Sequence, residues 1–119
     1  MANDLFDLSG KVALVSGAAS GFGRSVSIGF AEFGADLMLA DINAAGMEDT
    51  AERIRALGRR AEPVPCDVAE PAQIRALFTA LDRTYGRIDV LANIAGPAVL
   101  GKPEEITLAE NAAAAMSQA

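Results

Sequence analysis

The sequence contains no histidine and no tryptophan. Without histidine it lacks the side chain that titrates near neutral pH and is the commonest metal ligand, and no metal site is expected. Cys66 is its one cysteine, so no disulfide can close within the chain. A reducing compartment fits, and the expected localisation is cytoplasmic. No apolar run approaches the ~20 residues that cross a bilayer. Met1-Ala2-Asn3-Asp4 has neither the basic flank nor the apolar stretch of a signal peptide, so no membrane partner is expected. Basic residues are scarce: 10 Lys and Arg stand against 16 Asp and Glu, a net charge of −6. That balance argues against nucleic acid, whose phosphates call for Lys and Arg. It leaves open a ligand whose phosphates are held by uncharged backbone N–H groups.

What the sequence does have is alternation. Its 119 residues suit one domain, and 51% of them are hydrophobic, enough for a core. The apolar run Lys11 to Ser16 reads as a strand buried on both faces. Gly21 to about Phe33 reads as a helix, with Val26, Phe30 and Phe33 spaced for one face and Gly34 as its stop. A second strand is expected over Ala35 to Asp41. A second helix follows over about Ala44 to Leu57, with Met47, Ala51, Ile54 and Leu57 inward. The third strand is expected over Glu62 to Asp67. The third helix, from Pro71 to Tyr85, carries Ile74, Leu77, Phe78, Leu81 and Tyr85 at helical spacing. Ile88 to Ile94 is the fourth strand. Strands and helices in this order imply right-handed βαβ units and a parallel sheet with helices on both faces.

Between the first strand and first helix lies Ser16-Gly17-Ala18-Ala19-Ser20-Gly21-Phe22-Gly23. A glycine-rich turn in that place brings bare N–H groups and a helix start up to a pyrophosphate. It points to dinucleotide binding, against the plainer reading of a tight turn. Asp41 closes the second strand about twenty residues on, where a carboxylate accepts hydrogen bonds from an adenosine ribose and repels a 2′-phosphate. Ser20, just before Gly21, is not basic either and offers no cation for such a phosphate. The expected cofactor is therefore NAD rather than NADP, with a helix cap as the plainer role for Asp41.

The motifs in combination resemble the short-chain dehydrogenase/reductase family over about Leu5 to Glu110. The glycine turn matches its T-G-x-x-x-G-x-G pattern, with Ser16 in the threonine place. Asp67-Val68 resembles the pair that edges the adenine pocket. Leu91-Ala92-Asn93-Ile94-Ala95-Gly96 resembles N-N-A-G, with Ile94 in place of the second asparagine. The resemblance implies a three-layer Rossmann-type α/β fold, strand order 3-2-1-4, often in homotetramers. It implies cofactor contacts from Gly17, Ser20, Gly21, Phe22, Gly23, Asp41, Ile42, Asp67, Val68, Asn93, Ala95 and Gly96.

The family's acid–base pair is a tyrosine with a lysine four residues on. Here the one tyrosine, Tyr85, is followed at that distance by Asp89, and Lys11 and Lys102 have no tyrosine at that spacing. Tyr85 belongs to a helix stripe and reads as a packing residue. Asn111 falls too early for the family's helix asparagine, and Cys66 without a histidine reads as packing. No catalytic residue is assigned. The expectation is a single, incomplete dinucleotide-binding domain over 1–119, with an atypical alanine-rich tail over about 108–119. It would be the NAD-binding portion of such an oxidoreductase, with the catalytic half absent from this chain. The alternatives are a non-catalytic nucleotide-binding or interaction module, or a fragment without function. The open sheet edge invites a homo-oligomer or a pairing partner.

Overall fold

The computed structural model describes residues 6–94. Their elements are β1 (Val12–Ser16), α1 (Gly21–Glu32), β2 (Asp36–Asp41), α2 (Ala44–Ala56), β3 (Ala61–Pro65), α3 (Pro71–Thr84) and β4 (Val90–Asn93). The four strands are parallel, in the order β3-β2-β1-β4. The chain steps outward from β1 to β3, then returns to lay β4 on the other side of β1. That reversal makes a crevice at the carboxyl ends of the strands.

Alternate residues of the inner strands feed two cores. Ala13, Val15, Leu37 and Leu39 pack with Met47, Ala51 and Ile54 of α2 and Ala31 of α1. Val12, Leu14, Met38 and Ala40 pack with Ile74, Leu77 and Leu81 of α3. Both faces of β1 and β2 are thus covered, which explains why these strands read as unbroken apolar runs.

Helix α1 departs from the expected face. Its buried residues are Gly23, Ser27 and Ala31. Of the expected face, Phe30 is partly buried and packs against the first core, and Val26, Phe30 and Phe33 line an apolar cleft of about 480 Å³ with Phe6 and Leu8. The small residues recur every fourth position and let the helix axis come close to the sheet, which large side chains would prevent. In α2 the buried set is Met47, Thr50, Ala51 and Ile54, and Leu57 is the exposed C-cap.

Strand β3 begins and ends earlier than expected. Cys66 continues the ladder by one bond, its N–H donating to the Asp41 carbonyl (3.0 Å). Asp67 then turns the chain, its Oδ1 accepting the Ala69 N–H (2.9 Å). Pro63 and Pro65 fit this strand because it lies at the sheet edge. Tyr85 caps α3 and donates its hydroxyl to the Leu37 carbonyl (2.7 Å), with the Arg60 guanidinium 4.7 Å from its ring centroid. This pins α3 to the opening end of β2. Burial pushes the Tyr85 phenol up to about 12.

Candidate cofactor site

An open cleft of about 400 Å³ lies where β1, β2 and β3 end. Gly17, Ser20, Phe22, Gly23, Asp41, Ile42, Asp67 and Val68, all singled out in the sequence, line it together. Gly21 and Asn93 do not. Ala95 and Gly96 lie outside the described residues. Ala40, Cys66 and Ile94 also line the cleft. Sequence reasoning gives them no cofactor role because each reads as strand packing.

The glycine turn is built by steric demand. Gly17 takes a φ of +71°, in the region that favours glycine. A Cβ on Gly23 would sit 1.8 Å from the Gly17 carbonyl oxygen, so only glycine lets α1 start this close to the end of β1. Ser20 is the N-cap of α1, yet its side chain makes no capping hydrogen bond. The helix start therefore presents its N–H groups without a side-chain acceptor, beside Phe22 and Gly23 in the cleft wall. The partial positive charge there favours an anion.

Asp41 sits at the cleft and also organises it. Its Oδ2 accepts the Ala19 N–H (3.0 Å) and its Oδ1 accepts the Asn43 N–H (2.9 Å). One carboxylate thus joins the end of β2 to the glycine turn and to the start of α2. Each oxygen can accept a further hydrogen bond, so a diol remains within its capacity. The capping role that the sequence allows Asp41 falls instead to Asn43, whose Oδ1 accepts the Gly46 N–H (3.0 Å).

Asp67 lines the far side of the cleft next to Val68. Its backbone N–H donates to Gln73 Oε1 (2.8 Å), which ties the turn to α3. Buried Cys66 has its thiol pushed up, by burial first and by the Asp67 charge second, which keeps it protonated and weakly nucleophilic. Asn93 lies behind the cleft: its Oδ1 accepts the Ser16 hydroxyl (2.6 Å), while the Ser16 oxygen accepts the Ile94 N–H (3.1 Å). The ends of β1 and β4 are held together at that point.

Sequence reasoning missed Arg24. Its Nε donates to Thr50 Oγ1 (2.9 Å), and its Nη2 donates to the carbonyls of Ala19 (2.6 Å) and Gly46 (3.1 Å). Nη1 pairs with Asp49 (3.0 Å). The available signal was a cation close to a helix N-terminus, where the helix dipole disfavours it. Among the described residues no Lys or Arg lines the cleft. Nor does any group of three or more Cys, Asp or Glu side chains there suit a metal ion.

These features have counterparts in known proteins. The model of the short chain dehydrogenases matches residues 11–117. The D-threitol dehydrogenase of Mycolicibacterium smegmatis is 42% identical over 87% of this chain and 40% of its own length. The 7alpha-hydroxysteroid dehydrogenase of Escherichia coli is 34% identical over 79% of this chain and 37% of its own. A short-chain type dehydrogenase/reductase from Mycobacterium marinum superposes with a TM-score of 0.78 at 31% identity, over 97% of this chain and 50% of that one. The chain thus spans about 40% of the length of the curated relatives it matches. With the fold, the glycine turn and the match over residues 11–117 in agreement, the chain belongs to the short-chain dehydrogenase family, of which it represents the part that binds the dinucleotide cofactor.

Proposed function

We propose that this chain binds NAD in preference to NADP and serves as the cofactor-holding portion of an oxidoreductase acting on alcohols or carbonyls. The observation that carries this reading is the meeting of the uncapped α1 start with Asp41 in one cleft. The α1 start suits a pyrophosphate, and the Asp41 carboxylate suits an adenosine ribose. Asp67 and Val68 would border the adenine ring. A 2′-phosphate would meet the Asp41 charge, with Ser20 and Ile42 uncharged beside it and Arg24 engaged behind the turn. The NAD preference should reach about 1 kcal/mol, a modest repulsion at partial exposure. Calorimetric titration of the full chain with both cofactors tests it. Equal or tighter NADP binding would overturn the role given to Asp41.

The bound nicotinamide supplies a hydride acceptor or donor. The chain's own residues hold and orient the cofactor. The accompanying proton needs a group this sequence does not place, since its single tyrosine is bound to the Leu37 carbonyl at the opening end of β2. The relatives named as dehydrogenases of D-threitol and of a 7alpha-hydroxysteroid support hydride transfer at a hydroxyl-bearing carbon. A second reading is a non-catalytic module that pairs through β4, all four residues of which are only half-buried. We further infer that residues 1–119 act as one domain, in a cytoplasmic setting.

A further inference from the structure

We propose that Arg24 is a positioning residue of the cofactor site, fixing from behind the loop whose front takes the pyrophosphate; this rests on the dinucleotide reading above. The loop's backbone is held on the side away from the ligand. The N–H groups of Gly17 and Ala18 donate to the Ala40 carbonyl (2.9 and 3.3 Å), and that of Ala19 donates to Asp41. The Ala18 carbonyl accepts from Thr50 Oγ1 (2.8 Å), and the Ala19 carbonyl accepts from Arg24. Two of these anchors come from one cluster. Thr50, fully buried in α2, passes its hydroxyl to the loop and accepts from Arg24 Nε. Asp49, one residue earlier, neutralises the guanidinium. Arg24 thereby sets the Ala19–Ser20 peptide plane, from which the first N–H groups of α1 follow. A methyl or ammonium group could not span Thr50, Ala19, Gly46 and Asp49 at once, because only the planar fork offers donors in those directions.

The test titrates the full chain and its variants Arg24→Met, Arg24→Lys and Asp49→Asn with NAD, ADP and adenosine, recording thermal midpoints alongside. Tyr85→Phe serves as a variant destabilised far from the loop. Arg24→Met should weaken NAD and ADP about tenfold, the loss of one charge-assisted hydrogen bond, and leave adenosine unchanged. Arg24→Lys should fall between it and the parent. Asp49→Asn, which keeps the guanidinium and its bonds to Thr50, Ala19 and Gly46, should leave ADP affinity within about twofold of the parent. Tyr85→Phe should lower the midpoint without altering ADP affinity. The proposal is overturned if folded Arg24→Met binds ADP within twofold of the parent. Equal weakening of adenosine and ADP would also overturn it. Should Arg24→Met not fold, unchanged ADP affinity in Arg24→Lys overturns it. A parent chain that binds neither NAD nor ADP defeats the dinucleotide reading itself. A parent that binds both, with variants unaltered, defeats only the role of Arg24.

Discussion

Gly23 is held by a severe steric constraint in the cofactor turn. The 1.8 Å separation between its would-be Cβ and the Gly17 oxygen involves backbone on both sides, so neither side can swing away. Gly23→Ala should cost about 3 kcal/mol or more through overpacking and abolish NAD binding. Gly29, further along α1, has nothing within 4 Å of the place a methyl group would occupy; Gly29→Ala should be neutral or add up to about 1 kcal/mol. Denaturant midpoints and NAD titration of the two variants check both. The constraint on Gly23 was legible in its motif position. The role of Arg24 was not, because its partners Thr50 and Asp49 lie about 25 positions on and only the fold brings them near. The place of Asp41 at a strand end was legible and makes it the proposed ribose ligand, whereas its bond to Ala19 depends on how the turn curls back over β2.

Helix α1 shows where periodicity misleads. Val26, Phe30 and Phe33 recur as a buried stripe would, yet the buried positions are Gly23, Ser27 and Ala31, and of the three large residues only Phe30 packs in part against the core. A helix that must deliver its first turn to a ligand at a strand end has to lie close to that strand, and closeness selects small side chains. Helix α3 has no such duty, and its stripe of Ile74, Leu77 and Leu81 is legible from spacing alone. Its C-cap residue contributes a separate tether. Tyr85→Phe removes the bond to the Leu37 carbonyl and should cost about 1–2 kcal/mol in denaturant unfolding. The phenol's ordinary value of 10.0 rises to about 12 on folding. The protonated form is therefore the one the fold favours. Its contribution is complete below pH 10 and fades as pH climbs through 12. A pH titration of stability should show that alkaline loss in the parent and a smaller one in Tyr85→Phe.

At the scale of the molecule, the parallel sheet was legible from the alternation of strands and helices, whereas its order β3-β2-β1-β4 was legible only through the family resemblance, because right-handed crossovers by themselves allow other orders. The lack of the family's tyrosine–lysine spacing in this sequence was legible from Tyr85 and Asp89, with Lys11 and Lys102 too far from any tyrosine to restore it. The full chain should bind NAD yet show no turnover above background on alcohols, 3-oxoacyl thioesters or sugar acids. Acid–base help is worth ~10²–10⁴-fold, and positioning by a substrate pocket adds several kcal/mol more. NADH absorbance over such a panel checks this, and turnover that vanishes in Tyr85→Phe would contradict it. The backward-facing anchors of the glycine turn bear on time as well as on affinity. A loop already held by Ala40, Asp41, Thr50 and Arg24 has no ordering step left to perform when ligand arrives. Rapid mixing with NAD should then give a single exponential whose rate climbs linearly with ligand concentration, without the plateau that a preceding rearrangement imposes.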